Sequence, residues 1–203
     1  MKTQQDWRTE KRQARQSLST SEKNQKSRQI AEQIIAGDNY QKAQHIGVYL
    51  AMPEEVNLNH FIEKARAHGK HLYLPVVIDW GKRLLFAPYT STTTLGKDKL
   101  NMDVPKVDKN QYIAAEKLDL VITPLVAFDE NRNRIGMGGG FYDRTFTFRK
   151  AKAKPALIGV AFAVQQTDCP IPVNHWDIRP DQIITENTEN AIIRPRTTLP
   201  STV

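Results

Sequence analysis

Apolar positions along this chain follow two rhythms. Up to residue 36 they recur at helical spacing, and from residue 46 onward they come in short, nearly unbroken runs. Gln4–Leu18 is mostly charged and polar, with Trp7, Ala14 and Leu18 on one side, which predicts a surface helix with a single apolar edge. Ser21 stands as the N-cap of a second helix, Glu22–Ala36, which turns Ile30, Ile34 and Ile35 inward and stops at Gly37. The two helices are expected to pack as a pair against a sheet.

The short runs are Ile46–Leu50, Leu72–Val77, Arg83–Ala87, Leu118–Thr123, Leu157–Phe162 and Gln182–Thr185. Strands this continuously apolar arise when a parallel sheet is covered on both faces. Helical stretches at Leu58–His68, Gln111–Glu116 and Asp143–Ala153 fall between them. The alternation predicts an α/β fold: a single layered domain with a mostly parallel central sheet flanked by helices. Gly81 predicts a hairpin turn between the second and third runs, and polar Thr90–Val107 reads as a loop over one edge. Residues 1–193 are read as the domain. Arg194–Val203, with two prolines and four Ser/Thr, reads as a loose tail.

Composition narrows the classes. A chain of 203 residues suits one domain, and an apolar share of 39% supplies one sizeable core. No run approaches the roughly 18 apolar residues of a membrane helix, and the polar N-terminus does not read as a secretory signal. Cys169, a single cysteine, excludes an intramolecular disulfide and points to a reducing compartment, by default the cytoplasm. A formal charge of +7 implies anionic partners. Nucleic acid, a nucleotide or a small carboxylate substrate would all satisfy it, as would a plain solvated surface.

Residues 128–144 carry the most chemical information. Four of the ten glycines, Gly136, Gly138, Gly139 and Gly140, fall within five positions. Arg132 and Arg134 precede them; Asp143 and Arg144 follow. A backbone without Cβ atoms can bring several N–H groups to one anion, so the stretch reads as a phosphate cradle with a magnesium carboxylate at its rim. It is not a Walker A loop, because Gly-x-x-x-x-Gly-Lys-Ser/Thr is absent. Phe141 stands where a dinucleotide fingerprint wants its third glycine. A flexible surface loop is the competing reading. The apolar run Leu120–Thr123 feeds the loop from a strand end, where α/β sheets collect ligands, and the Asp143 helix would add its positive end.

Other residues are individually ambiguous. Lys11 and Arg15 share a helix face, either as a phosphate contact or as a solvated basic stripe. Glu54 and Glu55 follow a strand end and would orient a substrate, or favour the dipole of the helix that Asn57 caps. Asp177 is a lone loop acid that could join Asp143 on magnesium or serve a turn. His175 and Trp176 read as structural. Zinc spacing, a Gly-x-Ser-x-Gly elbow and a basic setting for Cys169 are all missing.

Taken together, these residues resemble the 5-formyltetrahydrofolate cyclo-ligase family, also called 5,10-methenyltetrahydrofolate synthetases. The similarity runs from Lys11–Arg15 to Ile183–Glu186, and its most specific portion is Asp119–Asp129 followed by Asn133–Arg144. The resemblance implies a ribose-5-phosphate isomerase/CoA-transferase-like fold and an ATP- and magnesium-dependent ring closure. By the same resemblance Lys11, Arg12, Arg15, Arg134, Ile135, Gly136, Met137, Gly138, Gly139, Gly140, Phe141 and Tyr142 would contact ATP. Leu50, Glu55 and Met137 through Phe141 would line the folate site, Asp143 and Asp177 would hold magnesium, and Arg134 and Arg144 would act on the transferred phosphate. Many members carry Arg or Lys at the positions of Met137 and Gly139, so Arg132, Arg134 and Arg144 are the nearest replacements. Leu58 replaces a usual threonine, leaving Asn57 as the cap. A monomer acting on small molecules, without nucleic acid or membrane, is expected. A basic RNA-binding protein and a catalytically retired nucleotide or folate binder are the rival readings; against the first, aromatic and basic residues form no interleaved platform.

Overall fold

Reciprocal caps start both leading helices. The computed structural model describes residues 2–98 and 102–187, so the tail read at 194–203 lies outside the described residues. Thr3 accepts the N–H of Asp6, and the Asp6 carboxylate accepts the N–H of Thr3 at 2.7 Å, opening α1 (Gln4–Gln16). Ser19, not Ser21, opens α2 (Thr20–Ala36), because Glu22 lies three residues beyond it and completes the same exchange. Trp7 is buried in α1, and Ile30, Ala31 and Ile34 are fully buried in α2. The other buried side chain of α1 is Arg15, where the pattern favoured Ala14.

Three strands and two helices follow. They are α3 (Asp38–Lys42), β1 (His45–Gly47), α4 (Asn59–Ala67), β2 (His71–Val76) and β3 (Leu85–Pro88). Asn57 Oδ1 accepts the N–H of Asn59 at 2.8 Å, so it caps α4 where Leu58 offers no acceptor. Gly81, at φ 81°, turns the chain between β2 and β3, and so direct a return makes that pair antiparallel.

The polar stretch 90–107 is not all loop. It contains β4 (Leu95–Lys97) paired with β5 (Asp103–Pro105). Gln111–Glu116 is not a helix either: 3₁₀ turns Lys109–Gln111 and Ala115–Lys117 flank β6 (Ile113–Ala114). A segment so short gains more by pairing Ile113 with Phe86 on the sheet edge than from one helical turn.

Next come β7 (Leu120–Pro124), β8 (Ala127–Phe128), β9 (Arg134–Ile135), α5 (Phe141–Thr145), β10 (Ala156–Val160) and β11 (Gln182–Ile184). The main sheet has seven strands in the order β11-β10-β7-β1-β2-β3-β6. Pairings from β11 through β2 are parallel; β3 and β6 add antiparallel edges. The sheet is thus mostly parallel, as its apolar runs predict. Its two faces bury alternate residues. Leu120 and Ile122 join Ile34 and Phe61 on one side, while Val121 and Leu157 join Phe86 and Phe146 on the other.

The helix read at Asp143–Ala153 stops at Thr145 and gives way to a 3₁₀ turn, Thr147–Lys150. Thr145 explains the break. Its hydroxyl donates to Phe141 O at 2.6 Å and accepts the N–H of Leu84 at 2.8 Å, tying the residue to the β3 side.

Gly159 in β10 has no room for a side chain: an added Cβ would meet Leu125 Cδ2 at 2.8 Å and Ile183 Cγ1 at 3.3 Å. Gly159→Ala should therefore destabilise the fold by about 1–3 kcal/mol. Denaturant unfolding checks this, and an unchanged midpoint would contradict the packing at β7–β10–β11.

Candidate active site

The glycine loop leaves β9 and forms one wall of a cavity of about 610 Å³. Gly138 and Gly140 have φ of 103° and 62°, with Gly139 between them. Positive φ at alternate residues turns successive N–H groups to one side. An added Cβ at Gly140 would sit 2.8 Å from Arg144 Nη1. Arg144 Nη2 donates to Gly139 O at 2.6 Å, and Arg8 Nε, reaching from α1, donates to Gly136 O at 2.9 Å. Two guanidinium groups thereby hold the loop by its carbonyls. Because α5 is a single turn, it contributes little of the dipole expected from a long helix there.

One carboxylate oxygen gathers the rest. Asp143 Oδ1 accepts from Arg134 Nη2 at 2.7 Å and from the N–H of Ile178 at 3.0 Å. The second bond draws the segment before β11 to the loop, and Asp177 lines the same cavity as Asp143. Asp177 uses Oδ2 to accept the N–H of Asn174 at 2.7 Å. Each aspartate keeps one oxygen without a hydrogen bond to the described residues, a hard donor suited to a divalent cation. No group of three His, Cys, Asp or Glu side chains among the described residues could hold a metal by itself.

The opposite wall follows β1. Tyr49 donates to Val56 O at 2.8 Å and closes the turn that carries Leu50 through Glu55. Glu55 Oε2 accepts the N–H of Met52 at 3.0 Å. Burial pushes the Glu55 carboxyl above its ordinary range, against the opposing pull of that N–H and of Arg15. Tyr142 is also pushed up, by burial and then by the Glu55 charge. Arg15 stands behind this turn, 1% exposed, with Nη2 3.7 Å from Glu54 Oε1 and Nε without a partner among the described residues. Glu54 therefore answers Arg15 and Arg12 rather than the start of α4.

Of the residues singled out in the sequence, Leu50, Glu55, Arg134, Gly136, Met137, Gly138, Gly139, Gly140, Phe141, Tyr142, Asp143 and Asp177 line this one cavity. Lys11, Arg12, Arg15, Ile135 and Arg144 are off its wall. Lys11 pairs with Glu10 at 3.2 Å, Arg12 reaches Glu54 at 3.6 Å, and Ile135 is buried within β9. Arg132, at φ 63°, turns the β8–β9 hairpin, and its side chain bonds the carbonyl of Asp181. It is therefore no substitute for a charge at Met137 or Gly139. Arg8, Gln4 and Lys97 line the cavity without having been singled out. Trp176, read as structural, lines it too and is 54% exposed. Arg8 precedes Lys11, Arg12 and Arg15 by three, four and seven positions, so the charged face of α1 gave no reason to prefer it to Lys11.

Fold and cavity together define the class: an α/β protein with a glycine-walled cavity beyond the carboxyl ends of its strands. A model of the 5-formyltetrahydrofolate cyclo-ligase family matches residues 1–186, and the chain belongs to that family. It is 34% identical over 176 residues to the 5-formyltetrahydrofolate cyclo-ligase of Escherichia coli (strain K12), covering 86% of this chain and 95% of that one. The cyclo-ligase of Haemophilus influenzae is 33% identical over 172 residues, with 84% and 91% covered. Among solved structures, the 5,10-methenyltetrahydrofolate synthetase of Aquifex aeolicus superposes with a TM-score of 0.79 at 25% identity, covering 98% of this chain and 97% of that one. The Mycoplasma pneumoniae synthetase, at 22% identity with 91% and 99% covered, shares the fold with a TM-score of 0.72.

Because its carboxyl is raised from 4.5 in the fold, Glu55 contributes full stability below that ordinary value and loses it as pH rises through the raised one. Glu55→Gln should therefore gain stability over the native chain at pH 7 and show no gain at pH 4. Thermal melts at both values test this; a loss at pH 7 would mean that attraction to Arg15 outweighs the burial of Glu55.

Proposed function

We propose that the cavity takes 5-formyltetrahydrofolate and ATP and closes the folate to 5,10-methenyltetrahydrofolate, releasing ADP and phosphate. The observation that carries this reading is a single cavity with two unlike walls. One is built of glycine-loop backbone with Arg8 and Arg134; the other is apolar Leu50 and Met52 around the half-buried carboxyl of Glu55. The first suits a phosphate chain, and the second a flat heterocycle with hydrogen-bonding edges.

The chemistry sets the demands on the site. A formamide carbon is a poor electrophile because its nitrogen donates into it, and water is a poor medium for dehydration. Transfer of the terminal phosphoryl group of ATP to the formyl oxygen turns that oxygen into a leaving group. The nitrogen at position 10 attacks the activated carbon, the carbon–oxygen bond breaks, and phosphate departs as the nitrogen sheds its proton. Positioning and charge neutralisation therefore dominate.

Arg8 and Arg134 supply the neutralising charge. Arg134 is shared with Asp143, and cavity-lining Lys97 pairs with Asp103 at 2.9 Å. Arg8 bonds to a carbonyl and two glutamines instead, with no carboxylate partner among the described residues. It is thus the cation freest to meet a phosphate, which offsets the uncharged Met137 and Gly139. Arg144 acts as a positioning residue by holding Gly139 O. Glu55 anchors the folate through a hydrogen bond to its ring or amine edge. Magnesium fits the free oxygens of Asp143 and Asp177, where it would screen the phosphate charge, with phosphates and water completing its shell. All the residues given roles here lie on one chain, and the enzyme is proposed to act as a monomer. Free Cys169 accords with a reducing, cytoplasmic setting.

Mixing the protein with 5-formyltetrahydrofolate, ATP and magnesium should produce the methenyl chromophore, and omitting ATP should abolish it. Retention of RNA on a filter at moderate salt, without turnover, would instead favour the RNA-binding reading. In the same assay Arg8→Ala should raise KM for ATP about tenfold, the loss expected of one charge-assisted hydrogen bond. Asp143→Asn should lower kcat about a hundredfold with the circular dichroism unchanged. Native kinetics for either variant would remove the role given to that residue.

A further inference from the structure

From Ile171 to Asp181 the chain forms no helix or strand, yet it brings Asn174, Trp176 and Asp177 to the cavity. Without a ladder to set its register, such a segment is placed by bonds to the scaffold around it. At its start Asp129 Oδ2 accepts the N–H of Ile171 at 3.1 Å, and Gln4 Nε2 donates to Pro172 O at 2.9 Å. In its middle Asp143 takes the N–H of Ile178. At its end stands Asp181, off the cavity wall.

Asp181 is held from several sides. Its Oδ1 and Oδ2 both accept from Arg149 Nη2 at 2.6 Å, and Oδ2 also accepts the N–H of Leu157 at 2.8 Å. Its own N–H donates to Leu157 O at 2.8 Å, and Arg132 donates to its carbonyl. Arg149, whose side chain is 1% exposed, is itself fixed by the carbonyls of Ala153 and Pro155. A buried ion pair gains little stability over apolar side chains of the same size, because both charges give up water. What it supplies is direction, since charge-assisted bonds fix an angle as well as a distance. Asp177 lies four residues before Asp181, within a reach of roughly 14 Å. Ile178 belongs to the same buried cluster as Leu157, the residue that Asp181 grips.

We propose that Arg149 is a positioning residue for the nucleotide side of the cavity: through Asp181 it sets where Asp177 and Ile178 stand against Asp143. The assignment rests on the function given above. Asp143 and Asp177 are the carboxylates suited to magnesium, so a slackened clamp weakens the part of nucleotide binding that needs the ion. Leu50 and Glu55, on the opposite wall, keep their own supports in Tyr49 and Met52.

Calorimetric titration with ADP, with and without magnesium, tests this. Asp181→Asn removes the charge that Arg149 meets, and Arg149→Lys keeps a charge but not the guanidinium. Both variants should bind ADP about fivefold more weakly than the native chain in magnesium. Both should match it without magnesium and keep its KM for 5-formyltetrahydrofolate. Ile34→Val, which loosens packing on the other face of the sheet, should bind ADP as the native chain does in both conditions. Native ADP affinity in the two clamp variants, or an equal loss in Ile34→Val or without magnesium, would overturn the role. Coupling also runs in reverse: in the native chain, ADP with magnesium should slow hydrogen exchange at the Leu157 amide more than ADP alone. Unchanged exchange there would overturn the role even if neither clamp variant folds. Beside normal methenyl formation by the native chain, these results overturn the clamp alone; no ADP binding by the native chain would overturn the function and the clamp together.

Discussion

The active cavity depends on the carboxylate of Asp143. Its Oδ1 accepts from Arg134, which enters on β9, and from the backbone of Ile178, which leads toward β11. These two segments lie forty-odd residues apart in sequence, and no sheet pairing joins them directly. The shared oxygen fixes the far end of the glycine loop and draws in the segment that carries Asp177, which lines the same cavity. The guanidinium of Arg134 is held at a defined position by the same bond, and a phosphate can meet it with little rearrangement.

Around that clasp the loop is held by its carbonyls rather than by packed side chains. Arg8 takes Gly136 O and Arg144 takes Gly139 O. Glycine is required because these bonds demand positive φ at Gly138 and Gly140, and because Arg144 fills the space a Cβ at Gly140 would need. The positions of Met137 and Gly139 carry no charge, while a cation on another element, Arg8 of α1, lines the cavity beside them. Methionines 52, 102 and 137 all line the cavity and are 45%, 43% and 48% exposed. Unbranched, polarizable side chains of this kind adapt their shape to whatever packs against them.

Much of this was legible in the sequence because it is local. Apolar runs announced strands buried on both faces, and the packing of Leu120, Val121 and Ile122 on alternate sides fulfils that pattern. The glycine cluster announced a loop with positive φ, and the strand ends announced where a cavity would lie. Less legible was whatever depends on what packs against an element. In α1 the charges on every side hide its orientation; contact with β8, β9 and the 3₁₀ turn at Ala163–Gln165 turns Arg8, not Lys11, to the cavity. The β4–β5 hairpin hides in a polar stretch because its strands are only half-buried. Thr145 ends α5 through a bond to Leu84, a partner sixty-one residues away that no local pattern reveals.

Placing a triphosphate and a formamide in one cavity commits the account to a particular path for the formyl oxygen. The direct measurement is to supply 5-formyltetrahydrofolate labelled with ¹⁸O in the formyl group and to weigh the inorganic phosphate released. One labelled oxygen is expected in each phosphate formed. Unlabelled phosphate, with the label recovered in water, would contradict phosphoryl transfer to that oxygen and with it the role assigned to the glycine wall.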